Sequence, residues 1–179
     1  LPKVSEGEAA FATSNTNLTI KGKSIFMVSG GKKSRVFVSD DFGVSWQVYD
    51  TPIVQGEAMT GIFSADFYDD KIGFITGGNY EKPDDNSNNK AITFDGGKTW
   101  KLVANGTGFG YGSCVQFVPN SKGKSLVSVG ANGIQYSNDF GKSWKQLNED
   151  KELYTIRFLN EKIAFAAGKN KIIKLVFSE

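Results

Sequence analysis

The sequence contains no histidine, one cysteine, two arginines and no apolar run long enough to cross a membrane. Each shortage removes a class of chemistry. Without histidine there is no Ser-His-Asp triad, no Cys-His pair and no imidazole ligand for zinc or copper. Cys114 stands alone, so it forms no intrachain disulfide or thiolate cluster and reads as a small apolar residue on a strand. With Arg35 and Arg157 the only arginines, a formal charge of +2 and no basic block, a nucleic-acid partner is not expected. The glycine pairs Gly30-Gly31, Gly77-Gly78 and Gly96-Gly97, and the run Gly108–Gly112, do not sit between a strand and a helix. They read as turns rather than phosphate cradles, and no cofactor is expected. Asp84–Asn89 offers hard oxygen ligands but lacks the EF-hand pattern and its closing glutamate, so it reads as a polar surface loop rather than a metal site. The chain begins at Leu1 without a methionine or signal peptide, and is read as a processed form or a fragment of something longer.

One eight-residue pattern occurs three times: SDDFGVSW (Ser39–Trp46), TFDGGKTW (Thr93–Trp100) and SNDFGKSW (Ser137–Trp144). The common form is S/T-x-D-x-G-x-S/T-W, and the copies contain every tryptophan. In each, the aspartate (Asp41, Asp95, Asp139) can accept hydrogen bonds from nearby backbone N–H groups. The glycine (Gly43, Gly97, Gly141) permits positive φ, and the indole (Trp46, Trp100, Trp144) anchors the returning strand. Repetition at equivalent positions makes these aspartates structural rather than catalytic.

Around the pattern, short β-branched and aromatic stretches alternate with Gly-, Asn- and Asp-rich turns, and no helical period is sustained. Four units of antiparallel strands are expected, at about 7–52, 53–105, 106–148 and 149–179. The first strand of the first unit is placed at Ala9–Thr13. Phe11, Phe67, Phe117 and Phe158 mark first strands; Gly30, Gly77, Gly130 and Gly168 end second strands. The last unit lacks the eight-residue pattern and a fourth strand. The expected fold is all-β, a β-propeller of four-stranded antiparallel blades. About four blades lie in this chain, read as part of a six- or seven-bladed ring.

The eight-residue pattern resembles the Asp-box, or BNR repeat. Stretches such as GEAAFATSNTN (Gly7–Asn17), GIFSADFYD (Gly61–Asp69) and GGNYEKPDDNSNNKAITFDGGKTW (Gly77–Trp100) resemble one branch of the Asp-box proteins. These are similar to the C-terminal half of bacterial photosystem II stability/assembly factor-like proteins, also described as BNR glycosyl hydrolases or oxidoreductases. The resemblance implies a larger propeller of the sialidase superfamily, exported from the cytoplasm, with further blades from a longer precursor or a second copy. It implies no reaction.

Sialidases clamp a carboxylate with three arginines, and this chain has two. A two-carboxylate glycosidase could draw on Glu57, Asp66, Glu81, Asp84 or Asp85, but sequence spacing brings no two together. No catalytic residue is assigned. In such a fold ligands meet the face opposite the Asp-boxes, built here by Gly30–Ser34, Asp50–Thr60, Gly78–Lys90 and Asn105–Ser113. Candidate binding residues are Arg35, Tyr80, Lys82, Phe109, Tyr111 and Arg157. Arg157 precedes the repeated phenylalanine, as Asp66 and Gln116 do, and either flanks the channel or bonds one blade to the next. The leading expectation is a non-catalytic binding or assembly propeller for a protein or glycan; the alternative is a glycoside hydrolase completed by residues outside the chain.

Overall fold

The computed structural model describes residues 2–12 and 14–177. A two-residue strand, β1 (Glu8–Ala9), precedes β2 (Leu18–Lys21), β3 (Ser24–Val28), the short β4 (Gly30–Gly31), β5 (Arg35–Ser39) and β6 (Gln47–Asp50). Next come β7 (Thr60–Phe67), β8 (Gly73–Asn79), β9 (Lys90–Thr93) and β10 (Lys101–Leu102). A third group is β11 (Gly112–Phe117), β12 (Leu126–Gly130), β13 (Gly133–Ser137) and β14 (Lys145–Asn148). The chain closes with β15 (Leu153–Asn160), β16 (Ile163–Gly168) and β17 (Lys171–Val176). All pairings are antiparallel, and the sheets β2-β3-β5-β6, β7 to β10, β11 to β14 and β15-β16-β17 are four propeller blades. The pair β1–β4 extends the second sheet through Gly30 opposite Gly61.

Burial follows position among the blades. Blade two is covered on both faces, so β8 and β9 are buried at every residue. The outward faces of blades one and four are not, so β2 and β17 alternate between half-buried and exposed. Three apolar clusters fill three seams. Phe26, Val28, Val36 and Val38 of blade one meet Ile62, Ala65, Phe67 and Ile75 of blade two. Phe74 and Ile92 meet Val115, Phe117 and Leu126, and Val127, Val129 and Ile134 meet Ile156, Ala164 and Ala166.

Side chains from the inner strands bond one blade to the next. Asp66 Oδ2 accepts the Phe117 N–H at 2.8 Å, and Gln116 Oε1 accepts the Phe158 N–H at 3.2 Å. Arg157, the third member of this set, donates through Nη2 to Asn15 Oδ1 at 3.2 Å, linking blade four to the segment before blade one. For Asp66 and Gln116 the geometry selects the blade-to-blade bond, whereas Arg157 reaches Asn15 beside the axis.

One strand differs from expectation. The inner strand of blade one is β2 rather than Ala9–Thr13, of which Thr13 lies outside the described residues. Lys21 pairs with Ser24 across a two-residue turn in which Gly22 has φ 59°, a hairpin that brings β2 alongside β3. Phe11 is therefore not on an inner strand; its ring stacks on Phe63 at 3.9 Å.

Glu8 holds the N-terminal ribbon in place. Its side chain is fully buried and accepts Arg35 Nε at 2.9 Å, Arg35 Nη2 at 2.5 Å, Ser29 Oγ at 2.6 Å and the Ser5 N–H at 2.8 Å. Burial alone would raise this carboxyl, but the bonds from Arg35, Ser29 and Ser5 outweigh it and lower it from 4.5 to about 2. A carboxyl lowered on folding stabilises above its ordinary value, and that contribution disappears as pH falls from 4.5 towards 2. Glu8→Gln is expected to cost about 2 kcal/mol at pH 7 and to flatten this acid limb, read from urea midpoints at pH 7 and pH 3.

Candidate ligand-binding site

The Asp-boxes fix one face of the propeller. In each, the first Ser or Thr hydroxyl donates to the aspartate Oδ1 at 2.8 Å, and the second donates to Oδ2 at 2.6 Å. The indole Nε1 donates to the box glycine carbonyl at 2.9 Å in all three. Hydrogen bonds from Ser45 lower Asp41 to about 2; burial opposes the same effect at Asp95 and Asp139 but is outweighed by bonds from Thr99 and Ser143. With both oxygens engaged in their own turns, these aspartates hold hairpins together. Each box joins the third strand of a blade to the fourth. The loops entering the third strands therefore lie at the opposite end of the propeller.

At that opposite end, near the axis, lie two neighbouring cavities of about 300 and 290 Å³. Tyr80, Tyr111, Ser113 and Tyr154 border both. Ser14, Asn15, Phe63 and Thr155 complete the first; Pro83, Gly130, Ala131 and Lys151 complete the second.

The inner strands aim residues into this site by one repeated device. Ile62 pairs with Gly77, Gly112 with Gly130, and Leu153 with Gly168; in all three blades the next residue is bulged out of the ladder. The bulged residues are Phe63, Ser113 and Tyr154, and all three face the axial cavity. A bulge re-aims a side chain by releasing it from its pairing partner. It also brings backbone down onto the facing residue. A Cβ at Gly130 would lie 2.4 Å from the Tyr111 carbonyl oxygen, and at Gly168 1.7 Å from that of Glu152, so only glycine fits. Three of the four glycines that mark the repeat, Gly77, Gly130 and Gly168, are the floor of the bulges.

Two loops supply the remaining rings. Tyr80 meets Tyr111 edge-on at 5.3 Å and 88°, and Phe63 meets Tyr111 at 4.8 Å and 81°. The loops are tied to each other: the Tyr111 N–H donates to Pro83 O at 2.8 Å, and Asn89 Nδ2 to Phe109 O at 2.9 Å. Beneath them Lys90 Nζ donates to Asn89 Oδ1 at 2.6 Å and Phe109 O at 2.7 Å, and lies 4.6 Å from the Phe109 ring centre. Lys90 is 0% exposed, and burial lowers its ammonium from 10.5 to about 8. Burial likewise pushes the Tyr111 phenol up to about 12, so it stays neutral near pH 7 and is a poor nucleophile.

The six candidate binding residues are dispersed. Tyr80 and Tyr111 line both cavities, with Tyr80 56% exposed. Arg157 borders the axis through Asn15 and also donates to Thr155 Oγ1 at 3.2 Å. Arg35 is engaged by Glu8, and Lys82 is exposed on the turn before Pro83. Phe109 is 3% exposed, wedged against Trp144 at 4.8 Å, and offers no surface to a ligand. Of the five carboxylates considered, Asp66 is buried against the next blade, Glu57 accepts from Asn79 at 3.1 Å, Asp84 from Asn132 at 3.3 Å, and Asp85 from the Ser87 N–H at 2.9 Å. Glu81 is exposed, and none of the five lines either cavity. Among the described residues no group of three His, Cys, Asp or Glu side chains is gathered to hold a metal. Phe63, Ser113, Tyr154 and Thr155 were not expected. The signal that finds Phe63, Ser113 and Tyr154 is one step from the landmark glycines, at the residue following each one's partner; Thr155 comes next and is back in the ladder opposite Ala167.

The BNR/Asp-box repeat model matches residues 91–102 and 135–146. No curated protein is similar enough in sequence to count as a relative. Among solved structures, the GH74 enzyme of Niastella koreensis overlays with TM-score 0.65 at 17% identity, over 87% of this chain and 27% of the enzyme. The computationally designed Ika4 protein overlays with TM-score 0.62 at 13% identity, covering 94% of both chains. YCF48 bound to a D1 peptide gives 0.49 at 13%, over 94% of this chain and 67% of that one. The chain thus spans about a quarter of the GH74 enzyme's length, and likenesses at such identities establish the fold alone. By its repeats and its four antiparallel blades, the chain is a β-propeller that carries Asp-box (BNR) repeats.

Proposed function

We propose that this chain is a non-catalytic binding or assembly propeller that holds a polypeptide segment at the tyrosine-lined axial mouth. The observation that carries this is the convergence of Tyr80, Tyr111 and Tyr154 on two adjoining cavities that no carboxylate among the described residues borders. Tyrosine gives broad amphipathic contact at low entropic cost, and the hydroxyls of Ser14, Ser113 and Thr155 with the Asn15 amide can answer peptide N–H and C=O groups. Tyr80 and Tyr111 stand perpendicular, forming a notch that admits a side chain rather than a flat platform on which a sugar ring stacks. A glycoside hydrolase would need two acids across the site, and none of the five candidate acids borders either cavity. The apolar faces at Leu18 and Ile20 of blade one, and at Phe165 and Ile172 of blade four, support membership of a larger ring.

Immobilised peptide and glycan arrays test this reading. Binding to peptides, weakened about tenfold by Tyr80→Ala and by Tyr154→Ala, is the expected outcome. Retention on glycans alone, or hydrolysis of aryl glycosides that is lost on changing one acid near the axis, would replace it.

A further inference from the structure

The hydrogen-bonding capacity left open at the axial mouth is one-sided. Four oxygens of its lining already accept. Asn15 Oδ1 takes Arg157 Nη2 at 3.2 Å, the Pro83 carbonyl takes the Tyr111 N–H at 2.8 Å, the Tyr111 carbonyl takes the Ala131 N–H at 3.1 Å, and the Phe63 carbonyl takes the Ser14 hydroxyl. What the lining still offers is chiefly donors: the phenol O–H groups of Tyr80, Tyr111 and Tyr154, and the ammonium of Lys151. Burial pushes the Tyr111 phenol up to about 12, so it keeps its proton to donate. A ligand matched to this lining carries many carbonyl oxygens and few N–H groups.

The apolar part of the mouth is divided in two. The cavities are nearly equal, at about 300 and 290 Å³, and Tyr80, Tyr111 and Tyr154 border both. Tyr80 and Tyr111 meet at 88°, and Pro83 adds a wall to the second cavity. Two like seats with shared aromatic walls suit a ligand that repeats one compact apolar group over a short distance.

We propose that the polypeptide held at the mouth is a proline-rich segment in the polyproline II conformation, with two prolines one turn apart seated in the two cavities. This rests on the reading of the mouth as a polypeptide site and names the class of segment it takes. A polyproline II helix has no internal hydrogen bonds, so its carbonyls are free to accept, and each proline removes an N–H. It presents the same face every three residues, about 9 Å, a step on the scale of neighbouring seats of this size. An α-helical ligand would spend its carbonyls on its own ladder, and a β-strand would bring N–H groups for which the lining has few acceptors left. The segment is also ordered before it docks, so tyrosine contacts are made at low entropic cost.

The test uses a fluorescein-labelled peptide of repeated Pro-Pro-Ser and its counterpart with every proline replaced by alanine, titrated against the full chain and read by anisotropy. Saturable binding of the first, about tenfold tighter than the second, is expected. Tyr80→Ala weakens it about tenfold, and Tyr154→Phe, which keeps the ring and removes only the hydroxyl, about fivefold. Equal binding of the alanine peptide, or tighter binding of arrayed peptides that lack proline, overturns this inference and leaves the mouth a polypeptide site. Binding of the proline peptide that neither tyrosine variant weakens overturns it too, by placing the segment elsewhere. If no peptide binds at all, the reading beneath it fails as well.

Discussion

Trp144→Ala is expected to lower the unfolding free energy by about 3 kcal/mol, while Trp46→Ala lowers it by about 1 kcal/mol. The two residues occupy the same place in the same motif and donate identically to their glycine carbonyls. What differs is the surface each indole covers. Trp144 meets Phe109 and Phe74 edge-on at 4.8 and 5.8 Å, binding blade three to blade two and to the loop that carries Tyr111. Trp46 meets no aromatic ring among the described residues. Its hairpin belongs to the blade whose outward face is bare. Urea unfolding of both variants gives the comparison. Equal losses would show that the indoles stabilise their own turns and do not act as wedges between blades.

Raising the pH from 7 to 10 is expected to stabilise the protein by about 2–3 kcal/mol through Lys90, and Lys90→Met should abolish that rise. The ammonium is buried without a carboxylate, and its value falls from 10.5 to about 8 on folding. Between those values the unfolded chain holds a proton that the folded chain has released. Stability therefore climbs with pH. Above pH 10 Tyr111 acts in the opposite sense, because burial raises its phenol, so the informative window ends there. At pH 7 the methionine variant should be more stable by about 1 kcal/mol, since a charge penalty near 3 kcal/mol exceeds two hydrogen bonds of about 1 kcal/mol each. Because Lys90 ties the base of the Tyr80 loop to Phe109, the same variant should loosen the tyrosine cluster. Faster amide exchange near Tyr111 would report it.

The Asp-boxes were legible from sequence because their logic is local: acceptor, donor, glycine and indole all fall within eight residues. Strand type was legible for the same reason. The inner strand of blade one was not, because Phe11 supplies the phenylalanine that the other first strands repeat, while Leu18–Lys21 has none and offers only four residues. Its true marker was the Lys-Gly-Lys turn that folds it onto Ser24–Val28. The candidate site was half legible. Tyr80 and Tyr111 stand on loops whose length and aromaticity announce them. Phe109, two residues away, carries the same signal and is swallowed by the packing of Trp144 and Lys90. Tyr154 and Ser113 were hidden because a bulge reverses the face that simple alternation assigns to a strand residue.

That bulge has a consequence for how such a propeller diversifies. Phe63, Ser113 and Tyr154 have no cross-strand partner to satisfy, while the glycines beneath them tolerate no side chain at all. Constraint and licence are thus divided between adjoining strands of one blade. The glycines hold the ladder closed. Phe63 is fixed by its stack on Phe11 and its edge contact with Tyr111, while Ser113 and Tyr154 can be exchanged like bits in a socket, giving a new appetite to the mouth of the molecule without disturbing the ladder behind it.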